Sequence, residues 1–142
     1  LASSAASDVY KRQLFAVSLA SIWGIASDKD DIFDYFKEAN IGKPTGNDIR
    51  EGKVTLPLLY ALRQGREEEG ARYLDMILRK DFAAENVDSL IEFAKANGGI
   101  EYAEARMKEY HDKAVDVLLR LPESGARTSL IQLADYIMTR SK

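Results

Sequence analysis

The spacing of the apolar residues limits the fold more than any other feature. From Leu14 onward they recur every three or four positions, with no run of strict alternation long enough for a sheet. Residues three and four apart share one face of a helix, whereas a strand needs a period of two. The clearest stretch passes through Ile100, Ala103, Met107, Tyr110, Ala114, Val117 and Leu121, with charged residues filling the gaps. It predicts an amphipathic helix packed against others, opened after Gly98-Gly99 and stopped by Pro122. The same reasoning predicts helices over about 28–39, 53–62, 67–80 and 87–96, and a last helix that Ser124 caps and Leu130, Leu133, Ala134, Ile137 and Met138 anchor. Pro57 should kink its helix or sit near the first turn. The fold class is therefore all-α. The Gly-, Pro- and Asn-rich stretch from Asn40 to Gly52 reads as a long polar loop, a feature more often functional than ornamental.

Composition narrows the function classes. With 142 residues, 46% apolar and 30% charged, the chain suits one ordered globular domain. A net charge of −3 gives no reason to expect nucleic-acid binding, and the absence of Cys excludes disulfides and fits a reducing, cytoplasmic setting. Lys11 and Arg12 precede an uncharged stretch, Leu14 to Ala26, with Gly24 and Ala26 at small-residue positions, which mimics a secretory signal peptide. The stretch is shorter than the roughly 20 apolar residues of a transmembrane helix. Ser18 and Ser21 also dilute it, so a packed helix is the preferred reading. Leu1 to Gln13 is Ser- and Ala-rich without a periodic apolar face, and Asp8-Val9-Tyr10-Lys11-Arg12-Gln13 resembles a translated library adapter. Residues 1–13 are accordingly expected to be a non-native or disordered leader, and 14–142 the domain proper.

Asp30-Asp31-Ile32-Phe33-Asp34 is the first constellation that carries chemistry. On a helix, Asp30, Asp31 and Asp34 would fall within an arc of roughly 100°, with Ile25, Ile32 and Phe36 opposite. Like charges so spaced repel, and a hard, all-oxygen donor set favours Mg²⁺. The plainer alternative is that Asp28, Asp30 and Asp31 decorate a helix N-terminus. An EF-hand is excluded, because position six counted from Asp28 is Phe33 and position twelve is Ala39. Lys43, Arg50, Lys53, Arg63 and Arg66 follow, against only Asp48 and Glu51 in residues 40–66. An acidic helix beside a basic loop suits a magnesium-bridged polyanion. A Walker loop fails, since Lys53 is followed by Val54 and the Gly46–Gly52 spacing is one residue too long.

Asp30-Asp31-Ile32-Phe33-Asp34-Tyr35, followed by Gly42-Lys43-Pro44-Thr45-Gly46-Asn47-Asp48-Ile49-Arg50-Glu51-Gly52-Lys53-Val54-Thr55-Leu56-Pro57, resembles the second aspartate-rich region of trans-isoprenyl diphosphate synthases, the polyprenyl synthetases. The likeness continues through Gly98-Gly99-Ile100-Glu101-Tyr102-Ala103 and Leu121-Pro122 and covers about residues 24–142. It implies the C-terminal part of the isoprenoid synthase helical bundle, in an enzyme that condenses an allylic prenyl diphosphate with isopentenyl diphosphate using Mg²⁺. By the same resemblance Asp30, Asp31 and Asp34 would serve the metal, with Asp30 the foremost direct ligand. Lys43 and Lys53 would contact diphosphate oxygens, and Asp48 would support a metal-bound water or orient a lysine. Lys43 joins the three aspartates in the expected catalytic set. A homodimer is the family's usual assembly. Nothing in the chain matches the first aspartate-rich motif, and where the family usually carries a Phe-Gln pair shortly before the second motif, Gly24-Ile25-Ala26 here leads through Ser27-Asp28-Lys29 with one residue fewer. The chain is therefore expected to be a truncated part, inactive alone. A non-catalytic helical subunit of a prenyl synthase assembly is the alternative, and a carbocation cyclase a third.

Elsewhere, His111 reads as a boundary residue without partners, and Trp23, Phe33, Tyr35 and Phe36 read as core. Glu67-Glu68-Glu69 reads as a solvated helix start, and Arg140 and Lys142 as a frayed terminus.

Overall fold

The structure is a computed structural model that describes residues 2–36 and 45–140. The described residues form seven helices and no strand. These are α1 (Ala2–Phe33), α2 (Asn47–Arg50), α3 (Leu56–Gln64), α4 (Glu67–Leu78), α5 (Ala84–Ala96), α6 (Gly99–Leu119) and α7 (Gly125–Thr139). The chain divides into two compact units, Leu1–Lys29 with Arg106–Lys142, and Asp30–Ala105.

In the first unit, α1 buries Leu14, Ser18, Ser21, Ile22 and Ile25, the three- and four-residue stripe of one helix face. The two serines cost little there because each hydroxyl donates to its own helix, Ser18 Oγ to Phe15 O at 2.8 Å and Ser21 Oγ to Val17 O at 2.9 Å. The 14–26 stretch is thus a packed helix face. Met107, Ala114, Val117 and Leu118 of α6 and Ala134 and Ile137 of α7 supply the rest of this core. Gly24 lies against the Tyr110 ring, close enough that a Cβ would stand 3.1 Å from it. Ser124 caps α7 as its sequence predicts, its Oγ accepting from the Arg127 amide at 3.2 Å. Residues 2–13, the expected foreign or disordered leader, continue α1 as helix, and every side chain described there is exposed. Trp23 departs from expectation. It is 78% exposed, because the buried stripe of α1 runs through positions 22 and 25 and leaves 23 on the outer face.

In the second unit, α3 packs against α4 and α5. Leu58 and Ala61 of α3 meet Val87, Leu90, Ile91, Phe93 and Ala94 of α5 in a core that also takes Tyr73, Ile100 and Ala103. Two aromatic pairs stitch it, Tyr60 stacked on Tyr102 at 4.0 Å and Tyr73 against Phe93 at 4.4 Å between ring centroids. Gly99 opens α6 where a Cβ would run into the backbone carbonyls of Pro57 and Ala94, so only glycine allows this approach. The predicted helix at 53–62 begins three residues later than expected. Thr55 adopts the extended conformation of an N-cap and Pro57 sits in the first turn of α3, where its missing N–H costs nothing.

Candidate functional site

The sequence places Asp28, Asp30 and Asp31 near a helix start; the structure puts them at a helix end. Asp30 and Asp31 occupy the last turn of α1, which closes at Phe33 instead of running to residue 39. The reading of these acids as N-terminal decoration is therefore corrected, for they sit at the negative end of the helix dipole, where a carboxylate is disfavoured by about 0.3–1 kcal/mol. Asp28, in the first unit, has its carboxyl raised above the usual range by burial, an effect that the Arg106 charge partly offsets. Its Oδ2 has no hydrogen-bond partner among the described residues.

Asp34 lies just past the end of α1, its amide still donating to the Asp30 carbonyl at 3.3 Å. Residues 34–36 form a turn, so the expected three-aspartate helix face, with Phe36 on its apolar back, is not formed. Phe36 is 47% exposed with the Lys95 ammonium 5.5 Å above its ring, Tyr35 is fully buried, and Phe33 is half-buried. The Asp34 carboxylate instead accepts the backbone amides of Asn47 and Asp48, at 2.9 and 3.0 Å, through its two different oxygens. The Asp34 carbonyl accepts the Gly46 amide at 2.8 Å. The turn is also pinned from below, where the Tyr35 hydroxyl shares a 2.8 Å hydrogen bond with Thr55 Oγ1.

These bonds anchor α2, the short helix inside the predicted polar loop. Ile49 is its one buried residue, and Asp48 and Arg50 flank it. At its far end Lys53 Nζ lies 3.0 Å from Asp48 Oδ1 and 2.8 Å from Glu51 Oε2. Hydrogen bonds to Glu51 and then Asp48 hold the exposed lysine more firmly protonated than a free one. Asp48, which the resemblance has support a metal-bound water or orient a lysine, accepts from Lys53. Glu51 was missed as a second partner, although a carboxylate two residues before a candidate phosphate-binding lysine is a readable signal. Lys43, the other expected diphosphate contact, lies outside the described residues, as does Lys142.

Among the described residues no three His, Cys, Asp or Glu side chains gather closely enough to enclose a metal ion. Two adjacent carboxylates still suit Mg²⁺, which commonly takes one or two protein carboxylates and completes its shell with water and phosphate oxygens. His111 also departs from expectation. Its Nε2 pairs with Asp135 of α7 at 2.7 Å and its Nδ1 with Asp112 at 3.2 Å. No signal in the sequence joins residues 24 positions apart on two helices.

The resemblance assigns Asp30, Asp31 and Asp34 to a metal and Lys53 to a diphosphate; the structure sets the first two in the last turn of α1, turns the third onto the start of α2 and holds the lysine between Asp48 and Glu51. Residues 16–94 match the polyprenyl synthetase family pattern. The chain belongs to the polyprenyl synthetase family. It is 38% identical over 113 residues to the octaprenyl diphosphate synthase of Haemophilus influenzae, covering 79% of this chain and 34% of that protein. Among solved structures, geranylgeranyl pyrophosphate synthase from Bacteroides thetaiotaomicron superposes with a TM-score of 0.80 at 36% identity, over 91% of this chain and 41% of its own. Polyprenyl synthase from Caulobacter crescentus, solved with calcium and isoprenyl diphosphate, gives 0.78 at 29% identity, over 93% of this chain and 40% of its own. The chain thus spans about a third of the length of the curated polyprenyl synthetase relatives that it matches.

Proposed function

We propose that this chain is the metal- and diphosphate-binding C-terminal part of a trans-prenyltransferase, and that the whole enzyme joins an allylic prenyl diphosphate to isopentenyl diphosphate. The observation that carries the reading is the sequence of contacts from the acidic end of α1 through Asp34 to α2, and from Asp48 to Lys53. Asp30 and Asp31 would hold Mg²⁺, whose charge would make the diphosphate a better leaving group. Lys53, kept protonated by Glu51 and Asp48, offers its ammonium to diphosphate oxygens, and Lys43 is assigned the same task from its motif position. The two acids beside Lys53 restrain its flexible stem, so less entropy is lost when the anion arrives. The enzyme is taken to work as a cytoplasmic homodimer. No helix of the described residues is long and apolar enough to cross a membrane.

Isothermal titration of the chain with a non-hydrolysable allylic diphosphate, with and without Mg²⁺, tests this reading. Binding should require Mg²⁺ and weaken at least tenfold in Asp30→Ala. Binding that ignores both the metal and Asp30 would overturn it.

A further inference from the structure

The family motif gives Asp34 the same standing as Asp30 and Asp31, but the contacts of its carboxylate give it a role of its own. The geometry points to Asp34 as a positioning residue: its carboxylate is the N-terminal cap of α2, supplied from outside the helix, and sets where Asp48 and Lys53 stand. This inference rests on the proposed function for what Lys53 binds, but not for the cap itself.

The need for an external cap follows from Gly46. That residue is the N-cap of α2 and has φ +74°, a left-handed conformation, and a Cβ there would strike Val87 and Ile91 of α5. Only glycine suits the position, and glycine has no side chain with which to cap. The first amides of a helix still need acceptors, and here the Asn47 amide goes to Asp34 Oδ1 and the Asp48 amide to Asp34 Oδ2. With the Gly46 amide on the Asp34 carbonyl, one residue satisfies three consecutive amides. An aspartate bound through both oxygens to a helix start has its carboxylate plane fixed by that helix. Such bonds, from amides to a charged acceptor, are the strong kind.

The consequences run forward along the chain. Asp48 is both the second residue whose amide Asp34 accepts and the residue whose Oδ1 receives Lys53 Nζ. The Lys53 amide also donates to the Asp48 carbonyl at 2.8 Å. Loss of the Asp34 cap therefore frees the start of α2, and Asp48 and the Lys53 ammonium lose their common reference. Asp30 and Asp31 would bear the metal while Asp34 holds the lysine side of the site in register, a division of labour that the motif alone does not show.

Amide hydrogen exchange of the metal-free chain tests the cap. Protection of Asn47 and Asp48 should fall about tenfold or more in Asp34→Ala. In Asp34→Asn, which keeps one acceptor oxygen, it should be intermediate. The Lys53 side-chain ammonium resonance should move toward that of free lysine in Asp34→Ala and partly return in Asp34→Asn. The Leu118 amide, in the other unit, serves as the folding control. If the alanine variant does not fold, the asparagine variant carries the comparison against the parent. Equal protection of Asn47 and Asp48 in parent and variants, or a Lys53 resonance that does not move, would overturn the inference. Both measurements are made without metal or diphosphate, so failure of the chain to bind Mg²⁺ and diphosphate would count against the proposed function and leave the cap to be judged by its own readouts.

Discussion

The hydrogen bond between Tyr35 and Thr55 supports the turn that carries Asp34, and its worth can be measured. Tyr35 is 1% exposed and Thr55 8% exposed, so neither hydroxyl can turn to water. Tyr35→Phe keeps the ring and opens no cavity but strands the Thr55 hydroxyl. With a stranded buried group costing about 1–3 kcal/mol, and partial relaxation allowed, the loss should be about 2 kcal/mol. Thr55→Val keeps the shape and, with no cap bond to lose, should cost about 1 kcal/mol. The double variant should also cost about 2 kcal/mol, since the shared bond is lost only once, which gives a coupling of about 1 kcal/mol. Urea denaturation followed by circular dichroism, at unchanged slope, reads these differences. Burial pushes the Tyr35 phenol well above its ordinary range. A raised folded value means that its contribution is whole below the unfolded value, near 10, and is lost as pH climbs toward the folded one, so the gap between parent and Tyr35→Phe should close in alkali. Strict additivity of the two substitutions, or a Tyr35→Phe cost under about 0.5 kcal/mol, would refute the reasoning.

Two further outcomes test the scaffold. Gly99→Ala should destabilise by about 3 kcal/mol or prevent folding, because the added methyl meets the fixed carbonyls of Pro57 and Ala94 and no flexible side chain can yield; a thermal melt within about 2 °C of the parent would contradict this. The His111–Asp135 pair should make α6 and α7 more stable in mild acid. Burial lowers the His111 value, but hydrogen bonds to Asp135 and Asp112 outweigh it, and the net shift is upward. Its contribution is therefore complete below about pH 6.5 and lost as pH rises through the higher folded value. After solvent screening the difference between parent and Asp135→Asn should reach at most about 1 kcal/mol in mild acid and fade as pH rises through the folded value, and a gap that widens with pH would contradict the assignment.

The helices were legible because each must bury one stripe, and a stripe leaves its period in the sequence. That is why the stripe from Ile100 to Val117 reads correctly, although α6 closes at Leu119, short of the expected Leu121, and why Ser124 is recognisable as a cap. Ends were less legible. The start of α3 could have been drawn at Leu56, since Thr55 and Pro57 together carry the signal, but the end of α1 at Phe33 carries none. No glycine or proline stands there. The chain turns at Asp34 because residues 46–48 offer it three amides and Thr55 offers Tyr35 a hydroxyl, contacts that exist only after the fold has formed.

The same cause separates what the motif told about the site from what it did not. A run of aspartates at helical spacing reports that the positions are acidic, and the resemblance names a family that uses acids on magnesium. Neither tells whether a given carboxylate looks toward solvent or back into the backbone. Asp30 and Asp31 remain on the last turn of a helix whose dipole disfavours them. Asp34, three residues on, already has two amides on its carboxylate, and these bonds fix its direction before any metal arrives. If the site works as proposed, the motif joins two kinds of aspartate in one short sequence: a pair placed at an electrostatic cost that Mg²⁺ would offset, and a single residue whose charge is already used to hold Asp48 and Lys53 in place.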